Sequence, residues 1–392
     1  MDRGNAEELD RADPLAFFRD RFVIDDPDLV YANGNSLGRL PKETVERVAD
    51  VMTHQWGSRL AQSWDDGWLD EAQRVGDVLA TGVLGAHRGE VLVCDSTTVN
   101  LYKLAVAVLD ASPDRWAVVI AGGEFPTDRY VLQGLAQKRG LAIRWDGEPD
   151  NDTALCVRSL VDFRTGELAD LAARSAADRA AGALTLWDLS HAAGAVPVDL
   201  AGAGADLAVG CTYKYLCAGP GAPAFLYVRD ELQRQLQSPI WGWFGQRHQF
   251  AMGPAYDPQP DIRRFHAGTS PIAGIAAVDV GASLVADAGI DRMRAKSIAL
   301  TSLAIELFDV WLAPLGFTLA TPRDAIKRGG HVSVCRDDAA EVCARARHEE
   351  KLITDFRPPD TVRLGFPPLD TRFVDVWDAF DRLTRVSRPT PG

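Results

Sequence analysis

Between residues 90 and 228 the sequence alternates short, uninterrupted apolar runs with helical patterns. The runs "EVLVCD", "RWAVVIAG", "LAIRWDG", "TALCVRS", "LTLWDLS", "DLAVGCTY" and "APAFLYVR" are separated by stretches such as "TVNLYKLAVAVLD" and "DRYVLQGLAQKRG". A strand that is apolar on both faces must be covered on both, so this alternation predicts an α/β fold with a mostly parallel, doubly covered sheet. Upstream lie an extended piece, "DDPDLVYANGNSLG", and two helical patterns, "PKETVERVADVMTHQWGSRL" and "DEAQRVGDVLATGVLG". Pro41 suits the first helical turn, where its missing N–H costs nothing. A loop-rich Gly/Pro/aromatic section runs from Ser238 to Pro271. The long helical pattern "AAVDVGASLVADAGIDRMRAKSIALTSLAIELFDVWL" and strands such as "HVSVC" then predict a separate, smaller α+β domain.

With 392 residues, 46% of them hydrophobic, the chain can bury one large core and a second, smaller one. Its formal net charge of -13 argues against unaided binding to nucleic acid or to an anionic membrane surface, because both need clustered Lys and Arg. A small-molecule partner is the expectation. The six cysteines form no C-x-x-C pair, and Cys94, Cys156 and Cys211 fall in or beside apolar runs, as buried thiols in a reducing compartment would. The acidic start "MDRGNAEELDRADP" has no apolar signal region, and no run approaches the roughly 20 apolar residues of a membrane span, so the chain reads as cytoplasmic.

Several motifs carry candidate chemistry. "GNSLG", Gly34 to Gly38, matches the G-x-S-x-G elbow of serine hydrolases. Only a weak strand-like run, "LVYAN", precedes it, so a turn that shapes a site is the better reading of Ser36. "TGVLGAHRG" is spaced like a dinucleotide loop but ends a helical pattern instead of following a strand. No H-E-x-x-H, Walker A or EF-hand pattern occurs and the seven histidines are scattered, so no metal site is expected.

The strand ends are more informative. Asp188 closes "LTLWD" with His191 just beyond it, and Lys214 closes the next apolar run. In an open α/β sheet, ligands bind at that edge. An acid and a lysine at neighbouring strand ends suit pyridoxal phosphate, whose aldehyde condenses with the amine and whose ring nitrogen needs a carboxylate. The alternatives are a helix-capping Asp188 and a Lys214 that snorkels from the strand end. "DSTTVNL" places three hydroxyls at a helix start, where free N–H groups attract an anion, although N-capping alone needs only one. "GGEFPTDRY" follows another strand with an aromatic and a carboxylate, suited to stacking on a flat ring.

Together the segments "GNSLGRLPKE", "DSTTVNLYK", "EFPTDRY", "DLSHAAGAVPVDL", "CTYKYLCAGPGAPAFLYV", "GWFG", "AGTSPI" and "DFRPPDTVRLGFPPL" resemble the kynureninase family across nearly the whole chain. The resemblance implies a fold-type I pyridoxal phosphate enzyme with a mostly parallel seven-stranded sheet and a smaller C-terminal α+β domain. It implies an N-terminal segment (residues 1–50) packing on the C-terminal domain and active site, a cofactor domain (51–270) and a small domain (271–392). It further implies that Lys214 is the cofactor's covalent anchor and that Asp188 pairs with the pyridinium nitrogen. Phe125 would stack on the ring within the segment Phe125, Pro126, Thr127 and Asp128, with His191 beside it. Thr97, Thr98, Tyr213 and Trp243 would surround the phosphate, with Thr269 reaching in from the other subunit of a homodimer and Ser159 as a further contact. Arg363 would clamp the substrate carboxylate, and Trp64 and Ser36 would lie near its aromatic end.

The implied reaction is hydrolytic Cβ–Cγ cleavage of kynurenine or 3-hydroxykynurenine to alanine and anthranilate or its 3-hydroxy form, with Lys214 and Tyr213 moving protons. Three positions depart from the family's pattern: Cys217 replaces an asparagine, Gln246 a histidine and Asp370 a tyrosine. Alternatives from other classes are a desulfurase or aminotransferase on the same fold, a hydrolase using Ser36, and a silent protein that retains the cofactor pocket.

Overall fold

The computed structural model describes residues 2–388. The chain enters through α1 (Arg3–Ala12) and a short strand, β1 (Val30–Tyr31), and reaches α2 (Lys42–Asp50) and α3 (Glu71–Gly82). The large sheet follows: β2 (Val91–Val93), α4 (Thr97–Ala111), β3 (Ala117–Ile120), α5 (Pro126–Arg139), β4 (Ala142–Trp145), β5 (Thr153–Ser159), α6 (Leu171–Ala180), β6 (Leu184–Asp188), β7 (Leu207–Gly210) and β8 (Phe225–Val228). Its order is β2-β8-β7-β6-β5-β3-β4. β8 runs antiparallel to both neighbours, and the remaining pairs are parallel. Strands β3, β7 and β8 are buried along their length because their sequences are apolar at successive positions on both faces, whereas the edge strand β4 is half-buried to exposed.

β3 lies between β4 and β5, so the chain order reverses beside it, and an open α/β sheet binds ligands at such a switch point, outside the carboxyl ends of its strands. Ser159 and Asp188 are Cα partners at the carboxyl ends of β5 and β6. β7 is shorter than the apolar run suggested. It stops at Gly210, and the next residues turn away, with Thr212 Oγ1 donating to the Pro223 carbonyl at 2.8 Å. Lys214 therefore sits on a loop beyond the strand and not at its last position.

A short α7 (Asp230–Gln233) and a loop region lead to α8 (Ile272–Ala288) and α9 (Ile290–Leu307), two helices separated at Gly289 where one long helical pattern was expected. β9 (Thr318–Leu319), β10 (His331–Cys335), α10 (Ala339–Glu350), β11 (Leu352–Ile353), β12 (Asp355–Arg357), β13 (Thr361–Gly365) and α11 (Phe373–Ser387) complete the chain. Here the four-stranded sheet β12-β13-β10-β9 is antiparallel throughout.

Among the described residues two large hydrophobic cores result, beside a small cluster of Val119, Cys156 and Ala183. The larger gathers the seven-stranded sheet with Ile275, Val278, Leu284 and Val285 of α8, and with Leu15, Phe18 and Phe22 from the N-terminal segment. The smaller unites Leu300, Leu303, Ala304 and Leu307 of α9 with β10, β13 and α11, and includes Ala6, Val30 and Ala32. The N-terminal segment thus contributes to both. The stretch Ile290–Leu315 is long and apolar enough to cross a membrane by composition, contrary to the expectation that no stretch approaches that length. The four α9 residues just named are buried in the smaller core.

Candidate active site

A cavity of about 450 Å³ opens at the carboxyl edge of the large sheet. Each wall comes from the segment after a strand: Asp95 to Thr98 after β2, Phe125 to Asp128 after β3, Ser159 from β5, Asp188 to His191 from β6, and Cys211 to Lys214 after β7. Thr97, Thr98, Phe125, Thr127, Asp128, Ser159, Asp188, His191, Tyr213 and Lys214 are brought together here. Pro126 opens α5 as its first residue and supports Phe125 without lining the cavity.

Lys214 is 9% exposed, and its Nζ lies 5.9 Å from the ring centroids of both Phe125 and Tyr213. Phe125 is braced edge-on by Phe163, with centroids 5.2 Å apart. Asp188 Oδ1 accepts the Ser190 amide at 2.7 Å, the tight local turn that lets the chain leave β6. Asp128 is fully buried, and neither of its carboxyl oxygens has a hydrogen-bond partner among the described residues. Burial first, then the charges of Asp188 and Glu124, push its carboxyl well above the ordinary carboxylate range. Two carboxyl groups with one retained proton therefore converge on one part of the cavity.

Another part of the lining suits an anion. Ser96 caps α4 by accepting the Val99 amide at 3.3 Å, leaving the first-turn amides of Thr97 and Thr98 and the positive end of the helix toward the cavity. Tyr213 is held protonated, its hydroxyl pushed up by burial and then by Cys211. His191 is buried and pushed well below its usual pKa by desolvation and then by Lys214, so it is a neutral imidazole at physiological pH. A buried amine, a proton-bearing acid pair, an aromatic face and a helix N-terminus fit an aldehyde-bearing, phosphorylated pyridine.

Not every expected residue is at the cavity. Trp243 and Thr269 do not line it within one chain: Trp243 is 45% exposed and Thr269 is exposed. Trp64 packs in a separate aromatic group with Trp68, at 5.2 Å, and Phe244, at 6.2 Å. Ser36 sits in a turn whose amide bonds the Asn33 carbonyl at 3.0 Å. Arg363 is buried on β13 and is already paired with Asp355.

Three residues escaped the sequence reading. Glu124 accepts both the amide of Ser159, at 2.9 Å, and its hydroxyl, fixing the end of β5. His331, buried on β10, lies 5.5 Å from His191, ring to ring. Lys103, fully buried on α4, donates to Asp95 at 2.7 Å and to the Phe265 carbonyl at 2.7 Å. Only Lys103 left a sequence signal, a lone cation inside an apolar helical run.

Two family descriptions match the sequence: "Kynureninase C-terminal domain" over residues 293–383 and "Aminotransferase class-V" over residues 78–335. Among curated relatives, kynureninase from Pseudomonas fluorescens is 41% identical over 98% of this chain and 95% of its own length. Kynureninase from Burkholderia pseudomallei strain K96243 is 42% identical over the same shares. Solved structures with the same fold include the apo cysteine desulfurase from Thermococcus onnurineus NA1, with TM-score 0.76, 18% identity and 96% and 97% of the two chains covered. The cysteine desulfurase CsdA from Escherichia coli gives TM-score 0.79, 16% identity and 95% and 98%. Identity at this level over nearly the whole length, on a fold-type I scaffold with a lysine at its sheet edge, means that the chain belongs to the kynureninase family.

Proposed function

We propose that this chain is a pyridoxal phosphate-dependent hydrolase that cleaves the Cβ–Cγ bond of L-kynurenine or 3-hydroxykynurenine, giving alanine and anthranilate or 3-hydroxyanthranilate. The observation that carries the reading is Lys214 in one cavity with the Asp128–Asp188 pair and the N-terminus of α4. When bound, pyridoxal phosphate supplies an aldehyde for condensation with amines and a ring that accepts electrons from the substrate Cα.

The chain's own groups do the rest. Thr97, Thr98 and the α4 amides would hold the phosphate, Phe125 would stack on the ring, and Asp188, beside Asp128, would keep the ring nitrogen charged. The Lys214 amine would be the group that takes the proton from Cα. Water adds to the γ-carbonyl, the Cβ–Cγ bond breaks, the β-carbon takes up a proton to become the methyl group of alanine, and Lys214 returns a proton to Cα. Tyr213 is suited to deliver that proton because burial keeps its hydroxyl protonated. Arg363 binds the substrate carboxylate, and Trp64 and Ser36 border the aryl end.

We further propose a homodimer in which Thr269 and Trp243 act at the partner's cavity. The exposed apolar residues Trp241, Trp243, Phe250 and Met252 favour burial of this loop against a second copy. Six free cysteines favour a reducing, cytoplasmic setting.

The test is the purified protein with cofactor. A visible absorbance band from the lysine-linked cofactor should be present and vanish in Lys214→Ala, and L-kynurenine should yield fluorescent anthranilate. Absence of the band, or no turnover of either kynurenine, overturns the reading.

A further inference from the structure

One buried charge pair lies outside the cavity and has no part in the reaction as derived. Arg39 Nε is 3.0 Å from Asp370 Oδ2, with the two side chains 13% and 3% exposed. The Arg39 guanidinium also lies over the Tyr31 ring, 5.0 Å from its centroid. On the far side, Arg19 donates to the Asp370 carbonyl and, at 2.8 Å, to Asp375.

Arg39 ends a strap, residues 33–39, that touches both halves of the proposed site. At one end, the Gly365 amide donates to the Ala32 carbonyl at 2.9 Å and Asn33 pairs with Gly365, two residues past Arg363. A Cβ on Gly34 would overlap the Pro367 ring. At the other end, the Gly38 amide donates to the Tyr213 carbonyl at 2.9 Å. A Cβ on Gly38 would overlap the Lys214 carbonyl and stand 2.7 Å from Cys217 Sγ. The strap therefore spans from the arginine's strand to the lysine's loop with no slack for a side chain at either contact.

The strap has little side-chain anchorage of its own. Asn33 Oδ1 and both amide atoms of Asn35 are buried without partners among the described residues. Its charged fixing point is Arg39, whose Nε approaches one Asp370 oxygen, Oδ2, at 3.0 Å, while Oδ1 has no partner among the described residues.

We propose that the Arg39–Asp370 pair is a positioning latch, which seats the strap on the Lys214 loop and the Arg363 strand and so fixes the distance between the proton-moving lysine and the carboxylate-binding arginine. This inference rests on the function proposed above for those two residues. Burial pushes Asp370 up to about 6, with Arg39 and Arg19 opposing, so at neutral pH the carboxylate is charged and the pair is formed.

The latch can be tested on the cofactor-loaded enzyme by hydrogen exchange and kinetics. In Asp370→Asn, amides of residues 33–40 should exchange at least about tenfold faster while β5 and β6 exchange as in the parent, because local opening is separable from global unfolding. kcat/KM for kynurenine should fall on the order of tenfold with cofactor content unchanged, since a displacement of about 1 Å at a reacting group can cost more than that. Arg39→Lys keeps a charge near Asp370 but not the Nε that approaches Oδ2, and should give the same local pattern with a smaller amplitude. Unchanged exchange over 33–40 in both variants overturns the latch, as does a rise spread equally over β5 and β6. The exchange readout needs no turnover, so faster exchange confined to 33–40 in the variants of a protein that leaves kynurenine intact would support the latch while the function proposed above falls.

Discussion

Arg363 and Asp355 are Cα partners on neighbouring antiparallel strands, and Asp355 Oδ2 accepts both Nε, at 3.0 Å, and Nη2 of the guanidinium. Nη1 donates to the Phe163 carbonyl, behind the edge-on partner of Phe125. The buried arginine is thus oriented from two sides, and Arg357 adds a second cation 3.0 Å from the same carboxylate. Asp355→Asn removes the charge that holds both. Breaking one side of a buried pair costs roughly 3–5 kcal/mol, and Asp355 is 12% exposed, so a loss near the low end is expected in thermal or denaturant unfolding. Arg363→Lys should raise KM for kynurenine by about 10- to 100-fold, equivalent to one charged hydrogen bond of roughly 1.5–3 kcal/mol, with a smaller change in kcat. An unchanged KM would remove Arg363 from carboxylate binding.

Asp128 gives a prediction with a definite sign. Its folded pKa lies above the ordinary carboxylate value, so the native protein keeps a proton that the unfolded chain loses above about pH 4. Stability of the cofactor-free protein therefore falls as pH rises from there, by up to about 1.4 kcal/mol per unit from this group, until Asp128 itself ionises. Asp128→Asn is neutral throughout and should remove that contribution. Melting of the two cofactor-free proteins across pH 5–9 should show the variant gaining on the parent as pH rises, and the same variant should hold cofactor less tightly. Parallel curves would mean that Asp128 is ionised in the native state.

What the sequence made legible follows from how local the signal is. Asp188, Phe125 and the Thr97–Thr98 pair directly follow or end apolar strands, and the carboxyl edge of a parallel sheet brings such positions together whatever the loops do. Lys214 was found for the same reason, although the strand reading ran too far because Thr212 and Tyr213 suit a strand until Thr212 bonds back to Pro223. Asp370 on Arg39 and His331 beside His191 join segments far apart in the chain, and no periodicity reports such partners; Asp355 reaches Arg363 across the adjacent strand, a pairing that the sequence reading did not draw. Trp243 and Thr269 do not line the cavity of the chain, and nothing local in the sequence marks that.

Lys103 should matter to cofactor retention without touching the cavity. Its ammonium is fully buried, bonded to Asp95 and to the Phe265 carbonyl, each at 2.7 Å, and Asp95 lines the cavity in the left-handed region at φ 49°. Lys103→Met keeps most of the volume but leaves the Phe265 carbonyl unpaired, costing about 1–3 kcal/mol, and lets Asp95 relax from a conformation that asparagine, aspartate and glycine tolerate best. The variant should lose cofactor faster on dialysis than the parent. Equal retention would confine Lys103 to packing.

Cys217 occupies a left-handed backbone position, φ 54°, where its amide closes a turn onto the Lys214 carbonyl at 3.0 Å. Cysteine in this region is strained by about 1–2 kcal/mol relative to glycine, whereas asparagine visits it more readily. The family resemblance leads one to expect asparagine here, and the backbone supplies a physical reason. Cys217→Asn should therefore raise the unfolding free energy by about 0.5–1 kcal/mol, the part of the strain that asparagine relieves. Its longer amide has the Tyr215 carbonyl, 3.7 Å from the present Sγ, as an acceptor, so the buried polar group need not be left unpaired. Cys217→Ala keeps the strain and loses the sulfur's packing against Gly38, and it should be less stable than the parent. The order Asn above Cys above Ala in chemical denaturation is the expected result. An asparagine variant less stable than the alanine one would mean that the space beside Gly38, and not the backbone conformation, selects cysteine at this turn.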